Sequence, residues 1–552
     1  TTTTTIEVKR MKTIMTNVVG KSYPAAILLV LLLFLSLLPL PTLCIPSNPL
    51  FYEDQIVDHL AADDHDDSKH NYPNTNRWTQ RYYTSPAHFG GPGNGTIFVI
   101  MGGEGAMEPS TGIYYPFVAN NLAKKFNAYV LQPEHRFYGT SQPLDGVTPT
   151  SSDQWLRLVN AEQAMLDYVR LIRHIQDELG CSTDRTSNEY CPVITVGGSY
   201  PGFLSAMMRT VHSDIVDISY AASAPMKFYD QTVGVNDYYD HISDITESSS
   251  PGCSNDVRTT LATVSVEIQK AGDDGFHSVA KAIGICNDTI PTYVDTSRIF
   301  QDELMMIVGY TFANYNMGAY PPGPQTSLYK ACQIYQNKEM QSLDKMKAFL
   351  AMLDGSNDNK NDRCFFDMTS QLPAGANATI TGGDWSGVGT GNSGNIWDVQ
   401  TCTYNVEKIG FSSRSMFPNR PWTMEWLNTH CAARFGVKPK PDEYWERWRF
   451  DDLVNGANAS RIIFTNGMRD GWSVGGIKED LSDSILALNL KTGAHHSDLS
   501  HLGPTKNDTR EITMAFKKIT KIIGRWIDEV KNESSDVSES PQLGLSGYKV
   551  VD

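Results

Sequence analysis

Apolar residues in this chain fall into short β-branched runs that alternate with longer stretches of helical spacing. Residues 96–101 (Thr-Ile-Phe-Val-Ile-Met) run into Gly102-Gly103-Glu104-Gly105, and a second run at 128–131 ends at Gln132-Pro133-Glu134-His135-Arg136. Between 155 and 179, Leu158, Met165, Tyr168, Val169, Ile172 and Ile175 recur along one side with charges opposite, which predicts an amphipathic helix. A third strand is predicted from 193, then a helix carrying Phe203, Leu204, Met207 and Met208, then a strand at 216–220. Strand, helix and strand repeated in this order predict a mostly parallel sheet with helices on both faces.

After Pro225 the rhythm changes. Helix-like segments such as 300–316 and 326–353 occupy the chain to about residue 415, and glycine-rich 383–394 reads as a loop. Strand signals return at 462–465 and 485–490, followed by an amphipathic helix near 510–531 and a tail from 534 whose composition predicts disorder. An α/β core interrupted by a helical insert is the expectation: core at 51–225 and 416–533, insert at 226–415.

The third strand carries the candidate chemistry. Val193-Ile-Thr-Val-Gly-Gly-Ser-Tyr-Pro-Gly-Phe-Leu204 drives a strand into a glycine pair, a serine and a helix, the pattern of a nucleophile elbow. Gly197 is expected to permit the sharp turn and Ser199 to sit at its strained tip. The second glycine of G-x-S-x-G is replaced by Pro201, which removes only its own amide and suits the first turn of a helix. A serine hydroxyl needs a base and an acid that orients it, and in the α/β-hydrolase fold these follow the serine on loops after later strands. The strand at 462 leads into Asp470, and the strand at 485 leads into His495 and His496; Asp498, three residues beyond His495, competes as the acid. Oxyanion donors are expected from the Tyr200 amide and the Gly102-Gly103 loop. His135 and Arg136 fit a salt-bridged network beneath the cleft, and Glu104 fits an anchor for its glycine loop.

Composition adds the compartment. The 552 residues exceed one ordinary core, and a formal charge of -16 argues against nucleic acid as a partner. Met11 is the first methionine; the apolar stretch 25–38, preceded by Lys12 and Lys21, has the layout of a signal peptide with cleavage near Cys44, a retained anchor being the alternative and no stable span being expected after cleavage. Eight further cysteines (Cys181, Cys191, Cys253, Cys286, Cys332, Cys364, Cys402, Cys431) suggest four disulfides in an oxidising compartment. Glycosylation sequons at Asn94, Asn287, Asn377, Asn458, Asn507 and Asn532 fit the same compartment. No C-x-x-C pair supports a zinc site.

Taken together, Asp54-Gln55-Ile56-Val57-Asp58-His59, Gly103-Glu104-Gly105, Glu134-His135-Arg136-Phe137-Tyr138-Gly139, Asn160-Ala161-Glu162-Gln163-Ala164, Gly197-Gly198-Ser199-Tyr200, Ala222-Ser223-Ala224-Pro225, Asn466-Gly467 with Asp470 and Trp472, and Gly493-Ala494-His495-His496 resemble the family of proline-specific serine exopeptidases. The resemblance covers roughly residues 51–530. It implies an α/β-hydrolase with an inserted helical cap, Ser199 as nucleophile, Asp470 as orienting acid and His495 as general base. Trp472 would line the proline pocket, and Phe203 and His496 are further substrate-binding candidates, with a structural role for His496 left open because adjacent side chains diverge. The resemblance also implies disulfides Cys253–Cys332, Cys286–Cys364 and Cys402–Cys431, leaving Cys181 and Cys191 to pair locally.

The implied function is a secreted or lysosomal, vacuole-like serine exopeptidase that cuts short prolyl peptides, in the manner of a Pro-X carboxypeptidase. It would need no metal or organic cofactor, and a homodimer is compatible with the resemblance. Release of N-terminal dipeptides is the alternative; an esterase or an inactive glycosylated binding protein of the same fold are further ones. Three positions depart from the family: Pro201 for a glycine, Gly471 in the usual Asp-Pro-Trp, and Tyr404 in the usual Cys-Thr-Glu.

Overall fold

The computed structural model describes residues 48–61, 76–110, 112–355, 364–372, 391–499 and 503–536. The signal-like stretch with Cys44, the sequon at Asn377, residues 383–390 and the tail beyond 536 lie outside the described residues.

Among the described residues eight strands form one sheet: β1 (Leu50–Ile56), β2 (Arg77–Ser85), β3 (Thr96–Ile100), β4 (Ala128–Pro133), β5 (Val193–Gly198), β6 (Ile218–Ala222), β7 (Ile462–Gly467) and β8 (Ile485–Leu490). Their order is β1-β2-β4-β3-β5-β6-β7-β8; β1 and β2 run antiparallel to their neighbours and all other pairs are parallel. Every residue of β3 to β7 is buried, as expected for strands covered on both faces, whereas β1 and β8 carry exposed positions. The alternation in β3 divides the core. Ile97 and Val99 point to the face covered by the helices Ala161–Leu179 and Tyr200–Val211, while Phe98 and Ile100 point to the face covered by the helix Arg510–Asp536.

Two expected helices are broken. The 155–179 segment divides into Ser152–Leu158 and Ala161–Leu179 because the Asn160 side chain leaves the helix to accept the Gln163 N–H at 3.0 Å, capping the second helix. The 326–353 segment divides into Ser327–Tyr335 and Ser342–Asp354. The glycine-rich stretch is only in part a loop candidate, since its last residues, from Gly391, already begin the helix Gly391–Thr403. The elbow strand runs through the glycine pair to Gly198.

Between β6 and β7 the chain forms a run of helices that includes Asp237–Ser249, Cys253–Ala282 and Ser297–Met317. Their buried residues, Leu261 and Phe312 among them, join the same apolar cluster as Ile97 and Val99 on the sheet. Four disulfides tie the structure: Cys181–Cys191, Cys253–Cys332, Cys286–Cys364 and Cys402–Cys431. The two that close spans of 79 and 78 residues each stabilise by about 4 kcal/mol in the chain-entropy picture. Asn94, Asn287, Asn458, Asn507 and Asn532 are exposed, and among the described residues no helix is long and apolar enough to cross a membrane.

Beneath the cleft the Glu134-His135-Arg136 segment is a buried polar network. Arg136 Nε and Nη2 donate to Asp167 Oδ2 and Oδ1 at 2.6 and 2.8 Å, and Arg136 Nη1 donates to Gln163 Oε1 at 3.2 Å. Burial alone would push the Asp167 carboxyl up, but Arg136 and His59 outweigh it and hold it below its ordinary value. Replacing Arg136 by methionine leaves that carboxylate buried and short of its main partner. Arg136→Met is expected to lose about 3–5 kcal/mol of stability at pH 7, measured by urea unfolding; a loss under about 1 kcal/mol would contradict this account of the network.

Candidate active site

β5 delivers Ser199 at its C-terminal end in a strained backbone conformation, φ 65° and ψ -134°. The Ser199 N–H donates to the Ala222 carbonyl of β6 at 2.9 Å, and the Ser199 carbonyl accepts the amides of Gly202 and Phe203. The positive φ is at the serine itself. Gly197 is required for a different reason than the turn: a Cβ there would lie 2.0 Å from the Pro201 carbonyl oxygen. Pro201 stands in the first turn of the elbow helix, and its ring covers Gly103, where an added Cβ would come within 2.5 Å of Pro201 Cγ. The proline thus fills the space between the elbow and the glycine loop.

The loop after β7 carries Asp470, which is fully buried, and the loop after β8 carries His495. His495 Nδ1–H donates to Asp470 Oδ2 at 2.6 Å, and the Trp472 N–H donates to Asp470 Oδ1 at 3.1 Å. Asp498 accepts the Tyr220 hydroxyl at 2.5 Å, so of the two candidate acids Asp470 is the one bonded to the His495 ring. Both loops are held by the end of one inserted helix: Asn316 Oδ1 accepts the Gly471 N–H at 3.1 Å and the Met317 carbonyl accepts the His495 N–H at 3.3 Å. His496 N–H donates to Ser223 Oγ at 2.9 Å, with its ring beside that of His495.

Tyr200, the first residue of the elbow helix, presents one of the amides that a helix N-terminus leaves without intrahelical partners. Its side chain is fixed by a directed chain of hydrogen bonds. Tyr138 O–H donates to Gln400 Oε1 at 2.6 Å, Gln400 Nε2–H donates to the Tyr200 oxygen at 2.8 Å, and the Tyr200 hydroxyl meets His135 Nε2 at 3.1 Å. His135 Nδ1–H in turn donates to the Arg136 carbonyl at 2.8 Å. Burial lowers the His135 pKa to about 4, which keeps the ring neutral and able to accept from Tyr200. On the glycine loop, Tyr168 O–H donates to the Gly102 carbonyl at 3.2 Å, and Glu134 Oε1 accepts the Met107 N–H at 2.8 Å.

Ser199, His495 and Trp472 open onto one cavity of about 550 Å³, to which His496 and Gly103 also contribute. Its walls are strongly aromatic, with Trp472 packed against Tyr238 and Phe228 at ring distances of 4.7 and 5.2 Å. Phe203 does not belong to it. Lying a turn into the helix, Phe203 is fully buried and packs edge-on against Tyr229 and Phe450, so its expected substrate contact is corrected to a core role. Among the described residues, two carboxyl groups line the cavity. Glu104 stands on the glycine loop; burial raises its pKa, opposed by its own backbone amide and by His495. Glu407 was not singled out by any motif, and neither were Asn316 and Gln400, because only the folded chain brings them to the site. Burial pushes the Glu407 carboxyl up to about 8, against the Tyr229 hydroxyl that donates to its Oε1 at 3.2 Å and with the repulsion of Glu104.

Sheet order, elbow, and an acid and a histidine on the next two strand-end loops define an α/β-hydrolase of the serine-peptidase class. The family model described as serine carboxypeptidase S28 matches residues 64–519. The chain belongs to that family and is a serine-type peptidase. It is 26% identical over 465 residues to the lysosomal Pro-X carboxypeptidase of Mus musculus, covering 84% of this chain and 86% of that protein. It is also 26% identical over 540 residues to the lysosomal Pro-X carboxypeptidase of Homo sapiens, 91% and 97% covered, and 25% identical over 482 residues to prolyl carboxy peptidase like protein 5 of Caenorhabditis elegans, 82% and 87% covered.

The raised Glu407 pKa has a stability consequence. Below pH 4.5 the carboxyl is protonated in both folded and unfolded chains and costs nothing; as pH rises toward 8 the unfolded chain ionises first, so stability falls, levelling off above 8. Glu407→Gln removes this dependence. Its Tm relative to the parent is expected to rise progressively between pH 4.5 and pH 8 in thermal scans, and a pH-independent difference would contradict the assignment.

Proposed function

We propose that this peptidase is an exopeptidase that cleaves short peptides after proline, with Ser199, His495 and Asp470 as its catalytic triad. His495 takes the Ser199 proton as Oγ bonds to the scissile carbonyl carbon, then gives that proton to the leaving amine as the C–N bond breaks. Water then bonds to the acyl carbon as His495 takes its proton, and the ester bond to Ser199 Oγ breaks as His495 returns that proton to Oγ, releasing the acid. The Tyr200 amide and the Gly102-Gly103 loop are the proposed donors to the oxyanion, and Trp472 with its aromatic neighbours forms the proposed proline pocket. His496, also lining the cavity, is a proposed wall of the substrate site. The observation that carries this reading is the Asp470–His495 hydrogen bond of 2.6 Å on two loops opening onto the cavity of the strained Ser199. The four disulfides and the lysosomal names of the relatives support an oxidising secretory compartment, lysosome-like or extracellular.

A fluorophosphonate is expected to label the folded protein at Ser199 alone and to leave Ser199→Ala unmodified. Asp470→Asn, which preserves shape but disturbs the His495 tautomer, is expected to lower kcat on a prolyl peptide by about 10⁴-fold, read by chromatographic assay. Labelling that persists in Ser199→Ala, or an Asp470→Asn variant within tenfold of the parent, would contradict these roles.

A further inference from the structure

The same cavity holds an acidic corner that acyl transfer does not use. Glu407 is 2% exposed and lines the cavity; its Oε1 accepts from Tyr229, but its Oε2 is buried with no hydrogen-bond partner among the described residues. Glu104 stands in the wall of the same cavity and acts electrostatically on it. Among the described residues that line the cavity there is no lysine and no arginine. Lys408, the next residue in sequence, directs its Nζ to the Gln231 carbonyl at 2.6 Å.

A buried carboxyl with an empty acceptor and no counter-ion is unfavourable by itself. A ligand bearing a cation with N–H donors supplies both missing terms at once. An ammonium draws both carboxyls toward the ionised form that burial opposes, whereas a peptide's terminal carboxylate would push their pKa values further up.

We propose that Glu407, assisted by Glu104, forms a subsite for a primary ammonium group of the substrate, so that the enzyme recognises a free peptide N-terminus close to the scissile prolyl bond and releases an N-terminal dipeptide. This rests on the Ser199 peptidase reading and adds the end of the peptide that is read. A lysine side chain carries the same ammonium chemistry, and the test separates the two sources.

The experiment compares kcat/KM for coumarin amides of Ala-Pro, N-acetyl-Ala-Pro and N-acetyl-Lys-Pro, and for N-blocked Pro-Phe with a free carboxylate. Ala-Pro-coumarin is expected to exceed its acetylated form by about 10- to 100-fold, the range of a charged hydrogen bond. Glu407→Gln is expected to bring that ratio toward one while fluorophosphonate still labels Ser199, which reports that the variant is folded; Glu104→Gln is expected to lower the ratio in part. Recovery of activity on N-acetyl-Lys-Pro assigns the subsite to a side-chain ammonium and overturns the N-terminal assignment. Equal cleavage of free and acetylated substrates, preference for N-blocked Pro-Phe, or a ratio that survives in both variants overturns the subsite while labelling stays intact. Absence of labelling in the parent overturns both the subsite and the peptidase reading beneath it.

Discussion

A buried carboxylate must have its oxygens satisfied, and the way Asp470 meets that requirement organises the catalytic end of the molecule. One oxygen takes the Trp472 amide and so fixes the turn after β7; the other takes His495 Nδ1 and so fixes the ring on the loop after β8. With Nδ1–H committed, Nε2 is the nitrogen left for the proposed role of base. Two loops some 25 residues apart in sequence are thereby held as one unit. The wall that this unit offers to the cavity includes Trp472, so the bond that orients the proposed base also sets one side of the proposed substrate pocket.

The rest of the fold serves to keep that unit and the elbow in register. The helix Ser297–Met317, inserted between β6 and β7, reaches both loops through Asn316 and Met317, so the insert helps to hold the proposed acid and base in place. From the opposite side, Glu134 gathers Arg81, Met107 and Ser141, while the Tyr138–Gln400–Tyr200–His135 chain holds the first residue of the elbow helix. The strain at Ser199 is sustained because its neighbours are over-determined by these contacts.

The alternating strand and helix pattern, the elbow at Ser199, the loops of Asp470 and His495 and all four disulfide pairings were legible because each depends on local order or on family motifs. β1 and β2 were not, since an antiparallel edge with mixed polarity, such as Leu-Phe-Tyr-Glu-Asp-Gln-Ile, has no clear period. The break at Asn160 was hidden by helical spacing that continues on either side of the cap. Phe203, a substrate-binding candidate, lies close to Ser199 in sequence, but a helix turns nearby residues away from one another. Glu407 and Asn316 escaped notice because nothing in their own neighbourhoods marks them; their meaning comes from what the fold sets against them.

The central claim is that Ser199, the His495–Asp470 pair and the elbow amides act on one carbonyl centre. A crystal structure of the enzyme inhibited by a prolyl phosphonate tests this most directly. The account predicts phosphorus bonded to Ser199 Oγ, the phosphoryl oxygen within about 3 Å of the Tyr200 amide and a donor of the Gly102-Gly103 loop, and the proline ring against Trp472. Phosphorus on another residue, or a phosphoryl oxygen turned to solvent away from Tyr200, would contradict it.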